Sequence, residues 1–502
     1  MTAGFFFVRL ADRFRMRVAA LCVALFVSAC SPGGDLLVSG GVGSGGTGLA
    51  EGFLSGYGSL IVDGVPYDDS NAVFEPEALD GQSSDLEARL GQRVRLSLRD
   101  DGSIRAVQVR PQLRGPITRP SFTSDGARYI EVLGQLVRVI DQSEDGFDTT
   151  ILEGSQALAN LSTGDLLEVH GSWLTRAAPG TTMLAASRIE KLATLSGPYK
   201  LSGKVEGLDD RSIAIGSGWA LQRPPDGSLG DLAVSTEIEA WVEPTEWLRV
   251  RSTQPQARIN PLKIARVSPD PTSIREMHLR TTVSPSQFDA ETGRLMLGGL
   301  SVRVPETLRA GLNQLAGAAR FHLVRGEGGE LELEAIKVAS LEDDFMGRLI
   351  RVKTVLRWPD PAPDSVSLRG TMLSGFASAA SSAASCAVIA AGQFTFVEIA
   401  AERGPPGTVP TVTELICSAT PPERAVYEDE GEVIGFEPAQ GARPPAIIVK
   451  GQAGVASQRL ELPETLHDWS PSALQALIGS QVRFDFQMQN GQGALRRLRN
   501  PQ

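Results

Sequence analysis

Histidine is scarce in this chain of 502 residues, which contains only His170, His278, His322 and His467. No two of them stand at H-x-x-x-H or H-E-x-x-H spacing, and the sequence has no C-x-x-C pair. Those spacings bring zinc ligands together on one helix face or turn, so their absence gives a zinc site no support. His170 and His322 fall within or beside alternating segments, which predicts surface or edge positions. We therefore predict no metal ligand and no cofactor.

Sequence motifs of catalysis are missing as well. There is no G-x-S-x-G elbow, and the glycine-rich stretches lack the G-K-[ST] of a phosphate-binding loop. Acidic residues are plentiful near Asp63 and in the runs 342–344 and 428–432, but without EF-hand spacing. We interpret them as turns and a solvated acidic surface, with weak calcium binding or a glycosidase-like carboxylate pair as alternatives. The sequence thus selects no catalytic residue.

An excess of positive charge is also absent. The formal net charge is −11, and removal of residues 1–29 takes away four arginines and one aspartate, which changes it to −14. Such a body repels phosphate backbones, whereas nucleic-acid binders usually show a basic footprint. We therefore expect no nucleic-acid partner.

The N-terminus has the order of an export signal. Four arginines between residues 9 and 17 precede the apolar run 18–26, and Val27-Ser28-Ala29-Cys30 follows. Nine apolar residues are too few to span a bilayer, which takes about 20. The tetrad VSAC resembles the bacterial lipobox, which implies a signal peptide at 1–29 and acylation of Cys30. The alternatives are an ordinary signal peptide with a chance cysteine, or a buried apolar helix.

The lipobox resemblance also implies a location in the bacterial cell envelope. Acyl chains anchor a protein by burying methylenes, at about 0.8 kcal/mol each. Ser31 occupies the position where aspartate retains such lipoproteins in the inner membrane, so the resemblance implies the outer membrane, with the body facing the periplasm. Translation starts at Met1 or Met16. Gly and Ser dominate residues 33–51, so we predict that residues 30–51 form a lipidated cysteine and a flexible tether.

Two cysteines, Cys386 and Cys417, remain after Cys22 of the signal and the lipid site. In an oxidising compartment they can form a disulfide or stay as two buried thiols. Both lie in β-like segments of one module, which favours a bridge. A bridge closing a loop of about thirty residues would contribute roughly 3 kcal/mol.

A β-strand pattern recurs through the body of the chain. In the first copy Asp63-Gly64 marks a hairpin turn, and the segment 93–99 alternates so that its valine and leucines face inward and its arginines face water. A short helical stretch precedes the alternating segment in most copies. We predict six β-modules, at 52–111, 112–193, 194–270, 271–340, 341–420 (the most degraded) and 421–502.

The order of strands within a module predicts the fold class. Three strands, a short helix and two strands is the order of an OB-type barrel, a five-stranded and partly open Greek key. We therefore predict a mainly β protein of tandem small OB-like five-stranded barrels. The alternative is a set of unrelated β-sandwich pieces that share only generic alternation.

The segment 40–68, GGVGSGGTGLAEGFLSGYGSLIVDGVPYD, resembles the opening of lipoproteins built from the domain of unknown function 5666. That family combines a lipobox, a Gly-rich tether and β-repeats. The resemblance is strong over residues 38–110, weakens through 111–340 and is poor over 341–420. It implies architecture and location, and no activity.

Aromatic residues are sparse, at 6%, although OB-type surfaces bind sugars and single strands through exposed aromatics. Trp241 shares the outward parity of Glu237 and Glu239, so it is either exposed or packed between modules, and we favour packing. We expect a non-catalytic scaffold or binding protein that contacts the lipid membrane through acylated Cys30 and an unknown protein or glycan partner. Oligosaccharide binding and a carboxylate-dependent hydrolase are the alternatives.

Overall fold

The computed structural model describes most of the chain from residue 48 to residue 499. The gaps within this range are 70–71, 76–87, 142–146, 148, 154–157, 176–181, 196, 217–218, 226–228, 230–231, 254–257, 269–270, 284–286, 313–316, 339–348, 360, 369–370, 391–392, 421–425, 442, 452–456, 463–474 and 490–491. The predicted signal peptide 1–29, Cys30 and the tether as far as residue 47 lie outside the described residues. All described residues belong to one compact unit, 45–502. Within them, no helix has the length and apolar character needed to cross a membrane.

The described part is mainly β, as predicted. The first strands are β1 (Gly48–Tyr57), β2 (Leu60–Val62), β3 (Val65–Tyr67), β4 (Val73–Glu75), β5 (Arg93–Leu98), β6 (Ile104–Val109), β7 (Leu113–Ser124), β8 (Ala127–Val132), β9 (Gln135–Val139), β10 (Ile151–Glu153), β11 (Leu166–Thr175) and β12 (Thr182–Leu192). Next come β13 (Tyr199–Leu208), β14 (Ser212–Ile215), β15 (Trp219–Gln222), β16 (Glu237–Val242), β17 (Lys263–Arg266), β18 (Glu276–Val283), β19 (Phe288–Asp289), β20 (Arg294–Leu297), β21 (Leu300–Arg303), β22 (Gly317–Arg325) and β23 (Leu331–Val338). The last are β24 (Leu349–Arg357), β25 (Ser365–Leu368), β26 (Thr371–Ser374), β27 (Phe394–Glu402), β28 (Thr411–Ser418), β29 (Val426–Glu437), β30 (Ala446–Gly451), β31 (Gln458–Glu461), β32 (Gln481–Gln489) and β33 (Gln492–Arg499).

The helices are few and short. They are α1 (Pro244–Thr253), α2 (Glu306–Leu312) and α3 (Phe376–Ser382), with 3₁₀ turns at Leu158–Asn160 and Pro271–Ser273. The turn at Leu158–Asn160, α2 and α3 each precede an alternating strand, where a short helix was expected. By contrast, α1 follows β16. Trp247 on α1 is fully buried, and the centre of its ring lies 4.8 Å from that of Trp219 on β15.

One pairing scheme recurs six times along the described strands. We name the copies repeat 1 (β1–β6), repeat 2 (β7–β12), repeat 3 (β13–β17), repeat 4 (β18–β23), repeat 5 (β24–β28) and repeat 6 (β29–β33). In each repeat the opening strand pairs antiparallel with the second-to-last strand, which pairs antiparallel with the last. Between the opening strand and the second-to-last strand of each repeat, the chain forms a β-hairpin. Even repeat 5, whose sequence is the most degraded, follows the scheme.

The repeats share sheets at their opening strands. β1 pairs in parallel with β18 and with β24, and β24 pairs in parallel with β29. β7 meets β13 through the antiparallel pair Arg114 and Lys200. The repeats are therefore joined by main-chain hydrogen bonds as well as by side chains.

Alternation in β5 places its apolar residues as predicted but not its arginines. Val94 and Leu96 are fully buried in a hydrophobic core. Arg93, predicted to face water, is only 5% exposed, and the side chain of Arg95 is only 14% exposed. The prediction was wrong for these two because the second face of β5 is covered by repeat 3, which supplies a carboxylate at Glu237.

The predicted tether ends earlier than expected. Residues 48–51 form the start of β1, paired with both β5 and β18. Ala50 packs in the core of repeat 1, and the carboxylate of Glu51 lies between two arginines. Burial and ion pairing thus order these residues despite their glycine-rich surroundings.

Cys386 and Cys417 are joined by a disulfide in repeat 5, with their Cα atoms 5.0 Å apart. Both are buried in the same hydrophobic core as Phe376 of α3. The bridge therefore ties the segment after α3 to β28.

Candidate functional site

Charged side chains meet in the interior where repeat 1 faces repeat 3. We call this group the Glu51 network. It consists of Glu51, Arg93, Arg95, Arg110, Lys200, Glu237 and Glu239. The side chains of all but Arg95 are less than one-tenth exposed.

Two ion pairs of the network, Arg93 with Glu237 and Arg110 with Glu239, reach repeat 3 from repeat 1 or the residue after it, and the others lie within one repeat. Arg93 contacts Glu51 at 2.6 Å and Glu237 at 3.0 Å. Glu239 contacts Arg110 at 2.6 Å and Lys200 at 2.9 Å. Each of these carboxylates therefore has a cationic partner, as burial of charge requires.

The electrostatics of the network favour its charged form. Burial alone would raise the pKa of Glu51, but the guanidinium groups of Arg95 and Arg93 outweigh burial and hold that pKa far below its ordinary value. Burial likewise opposes ionisation of Glu239, and Lys200 with Arg110 lowers its pKa. These groups remain ionised at neutral pH and so resemble structural ion pairs more than proton donors.

A general acid in a hydrolase needs a carboxyl group whose pKa is raised. Among the described residues, every carboxyl group whose pKa is displaced has that pKa lowered. The cleft beside the Glu51 network, which Gln112 and Ser202 help to line, has room for about one water molecule. Neither feature favours the hydrolase alternative.

Trp241 is 1% exposed, so it is not free to stack on a sugar. Its ring lies between the ammonium groups of Lys200 and Lys263, at 5.3 and 5.4 Å from the ring centre. These lysines are its cross-strand neighbours on β13 and β17. Trp241 is therefore packed, although these neighbours belong to repeat 3 itself and not to a second module. The oligosaccharide hypothesis loses the residue on which it depended.

His170 was predicted at the surface or an edge, and this was wrong. It is fully buried on β11, which lies between β7 and β12. Its Nδ1 accepts the backbone N–H of Arg93 at 3.2 Å, so its Nε2 holds the proton and donates it to Glu168 at 2.9 Å. Burial would raise the pKa of Glu168, but this hydrogen bond and the charge of Arg114 lower the pKa to about 2. His170 therefore connects repeat 2 to repeat 1.

Asp63 was interpreted as part of a solvated acidic surface, and this too was wrong. It is 3% exposed and contacts Arg280 of β18 at 2.8 Å. The backbone N–H of Phe53 donates to the same carboxylate at 3.2 Å. The run 342–344 lies outside the described residues, while Asp429 contacts Arg357 at 2.8 Å.

A second group of polar side chains lies at the surface of repeat 4. We call it the imidazole cluster; it consists of Glu276, His278, His322 and Glu334. His278 and His322 are directly opposite on β18 and β22, and their rings are parallel within 6° with centres 4.3 Å apart. Nε2 of His322 lies 2.9 Å from Oε1 of Glu276, and Nε2 of His278 lies 3.5 Å from the same oxygen. Nδ1 of His322 lies 2.7 Å from Oε2 of Glu334.

The imidazole cluster has the composition of a metal site. Ligand atoms of Glu276, His278 and His322 all lie within 4.8 Å of one another. Hydrogen bonds from His278 and His322 hold the pKa of Glu276 well below its ordinary value. The side chains of the two histidines are 17% and 20% exposed, so an ion could reach them from solvent.

Sequence motifs could not reveal the imidazole cluster. Glu276 and His278 are two residues apart, the spacing that puts both on one face of a strand. The signal was therefore an E-x-H pair in a strand, but its partner His322 is 44 residues away and meets it only through strand register. No protein-family model and no curated protein matches the chain.

Proposed function

We propose that this protein is a bacterial envelope lipoprotein, anchored through acylated Cys30, whose periplasm-facing body is a non-catalytic scaffold or binding protein. The anchor is supported by the order of charge, apolar run and VSAC at residues 9–30. Ser31 after the cysteine favours the outer membrane. The resemblance of residues 38–110 to lipoproteins of the domain of unknown function 5666 supports the same location.

The OB-type fold of each repeat is part of this proposal. Its support is the circuit of strands, in which the last strand pairs with the second-to-last and the second-to-last pairs with the opening strand. In five repeats a middle strand also runs parallel to the last strand. In repeats 1, 2, 3 and 6 the opening strand pairs with the hairpin as well. Repeats 1, 2 and 6 combine all of these pairings, which supports an OB-type barrel in these three.

The observation that carries the scaffold role is the Glu51 network. A buried set of ion pairs across two repeats is costly to desolvate, and removal of one partner strongly destabilises the fold because the other charge stays buried without compensation. It therefore holds repeat 1 and repeat 3 in one arrangement, as a rigid framework needs. Repeats that moved independently on flexible linkers could not keep such a network intact.

Two measurements on the protein purified from its native membrane test the proposal. Mass spectrometry of the mature N-terminus should find Cys30 as the first residue with acyl chains attached, and an unmodified or differently cleaved terminus would contradict the anchor. Cys30→Ser should leave the protein unacylated. Limited proteolysis should leave repeats 1 to 3 as one protected fragment, because the Glu51 network joins repeats 1 and 3. Prompt cleavage into single repeats would contradict the rigid scaffold.

A further inference from the structure

We propose that the imidazole cluster binds one divalent transition-metal ion of the Zn²⁺ type. His278, His322 and Glu276 would be the ligands, and Glu334 would orient His322. This site is independent of the lipid anchor and of the scaffold role.

Strand register places the two imidazoles side by side. β18 and β22 are neighbours over their whole length, and His278 faces His322 across the pair. Glu276 precedes His278 by two residues, so its carboxylate reaches the same face. Three ligand groups thus project from a hydrogen-bonded sheet, which holds them in place better than a loop would.

The distances from the Glu276 carboxylate suit a tetrahedral shell, whereas the two parallel imidazole rings would each have to turn for their lone pairs to converge on one ion. Zinc lies about 2.0–2.2 Å from nitrogen and oxygen ligands, so ligands in a tetrahedron are roughly 3.3 Å apart. Oε1 of Glu276 lies 2.9 and 3.5 Å from the two Nε2 atoms. Two histidines and one glutamate leave a fourth position, and the partial exposure of the cluster leaves that position open to water.

Glu334 supplies the outer contact that metal-bound histidines usually have. A ligating imidazole donates its other N–H to a carboxylate or carbonyl, which fixes the tautomer and the ring orientation. Nδ1 of His322 lies 2.7 Å from Oε2 of Glu334, so Nδ1 would keep its proton and donate it to Glu334. Nε2 would release its proton to solvent and exchange its hydrogen bond with Glu276 for a bond to the ion. A shift of register in the β22–β23 pair, between His322 and Leu323, makes Glu334 the extra residue of a bulge. That bulge places Glu334 beside His322.

The donor set selects the class of ion. Imidazole nitrogen favours Zn²⁺, Ni²⁺ and Cu²⁺, whereas Mg²⁺ and Ca²⁺ prefer shells made of oxygen alone. The cluster offers two imidazoles and one ligating carboxylate, so Mg²⁺ should not compete.

Isothermal titration of the full mature chain with ZnCl₂, and separately with MgCl₂, tests the inference. We expect one Zn²⁺ per chain and no heat of binding for Mg²⁺. His278→Ala and His322→Ala should each weaken Zn²⁺ binding by at least about tenfold, and Glu334→Gln by about 10- to 100-fold. Glu332→Gln is the matched control for Glu334→Gln, since Glu332 lies on the same strand, β23, but pairs with Arg303 at 3.1 Å and not with the imidazole cluster. It should bind as the unaltered chain does.

A second readout separates loss of the site from loss of the fold. Glu276→Gln keeps the shape of the side chain and removes its charge, and circular dichroism should show that this variant keeps its strand content. The visible absorption of bound Co²⁺ should report four-coordinate geometry in the unaltered chain and should change in this variant. Absence of Zn²⁺ binding to the unaltered chain would overturn the inference, and so would a Zn²⁺ affinity of His278→Ala and His322→Ala equal to that of the unaltered chain.

Discussion

Removing the negative charge of Glu237 should loosen the junction between repeats 1 and 3. Glu237 is 4% exposed, and Arg93 on the other repeat lies 3.0 Å away. Loss of one partner from a buried ion pair costs about 3–5 kcal/mol, because the remaining charge stays buried without compensation. Arg93 keeps its contact with Glu51 at 2.6 Å, so the lower end, about 3 kcal/mol, is expected for Glu237→Gln.

Native-state hydrogen exchange measures this effect locally. Since about 1.4 kcal/mol corresponds to a factor of ten, protection of the amides of β16 should fall by roughly a hundredfold. Glu332→Gln provides the exposed comparison. It should change the free energy of exchange by less than about 1 kcal/mol, because the ion pair of Glu332 with Arg303 is accessible to solvent. The double variant Arg93→Met with Glu237→Met should recover part of the loss, since apolar replacement of both partners is close to neutral. Equal protection in Glu237→Gln and Glu332→Gln would refute the reasoning.

Three further outcomes are expected. The pKa of Glu168 is about 2 in the folded protein and 4.5 ordinarily. The ionised carboxylate therefore stabilises the fold by about 3 kcal/mol above pH 4.5, and this stabilisation is lost as the pH falls toward 2. When the free energy of unfolding is measured against pH, it should fall less steeply between pH 4.5 and 2 in Glu168→Gln than in the unaltered chain. Reduction of the Cys386–Cys417 bridge should destabilise repeat 5 by roughly 3 kcal/mol, and non-reducing peptide mapping that finds free thiols would contradict the bridge. A methyl group on Gly171 would lie 2.2 Å from the carbonyl oxygen of Ala185, so Gly171→Ala should lower the thermal midpoint, whereas Gly207→Ala, with its nearest contact at 3.7 Å, should not.

Local pattern predicted the strands well and their surroundings poorly. Alternation in β5 and β16 correctly gave one apolar face, since Val94, Leu96 and Ile238 are all fully buried. The same pattern assigned Arg93 and Glu237 to water. Period two specifies which residues share a face, but not whether another sheet covers that face.

The imidazole cluster could not be predicted for a related reason. An E-x-H pair is common in exposed strands, and its significance depends on which residue lies opposite. Pairing of β18 with β22 is set by the whole of repeat 4, including the turn and helix between the strands. Local motifs therefore miss ligand sets that cross-strand register assembles.

β1 pairs with strands of repeats 1, 4 and 5, and these pairings limit the order in which the protein can fold. β1 is among the first of the described strands to leave the ribosome, yet two of its partners, β18 and β24, begin at residues 276 and 349. Closing such distant contacts is slow, because loop entropy is lost before the contacts form. Until repeats 4 and 5 arrive, β1 presents open hydrogen-bonding edges, which are sites of mispairing. A chaperone that shields the amino-terminal repeat until repeats 4 and 5 are present would act at this stage.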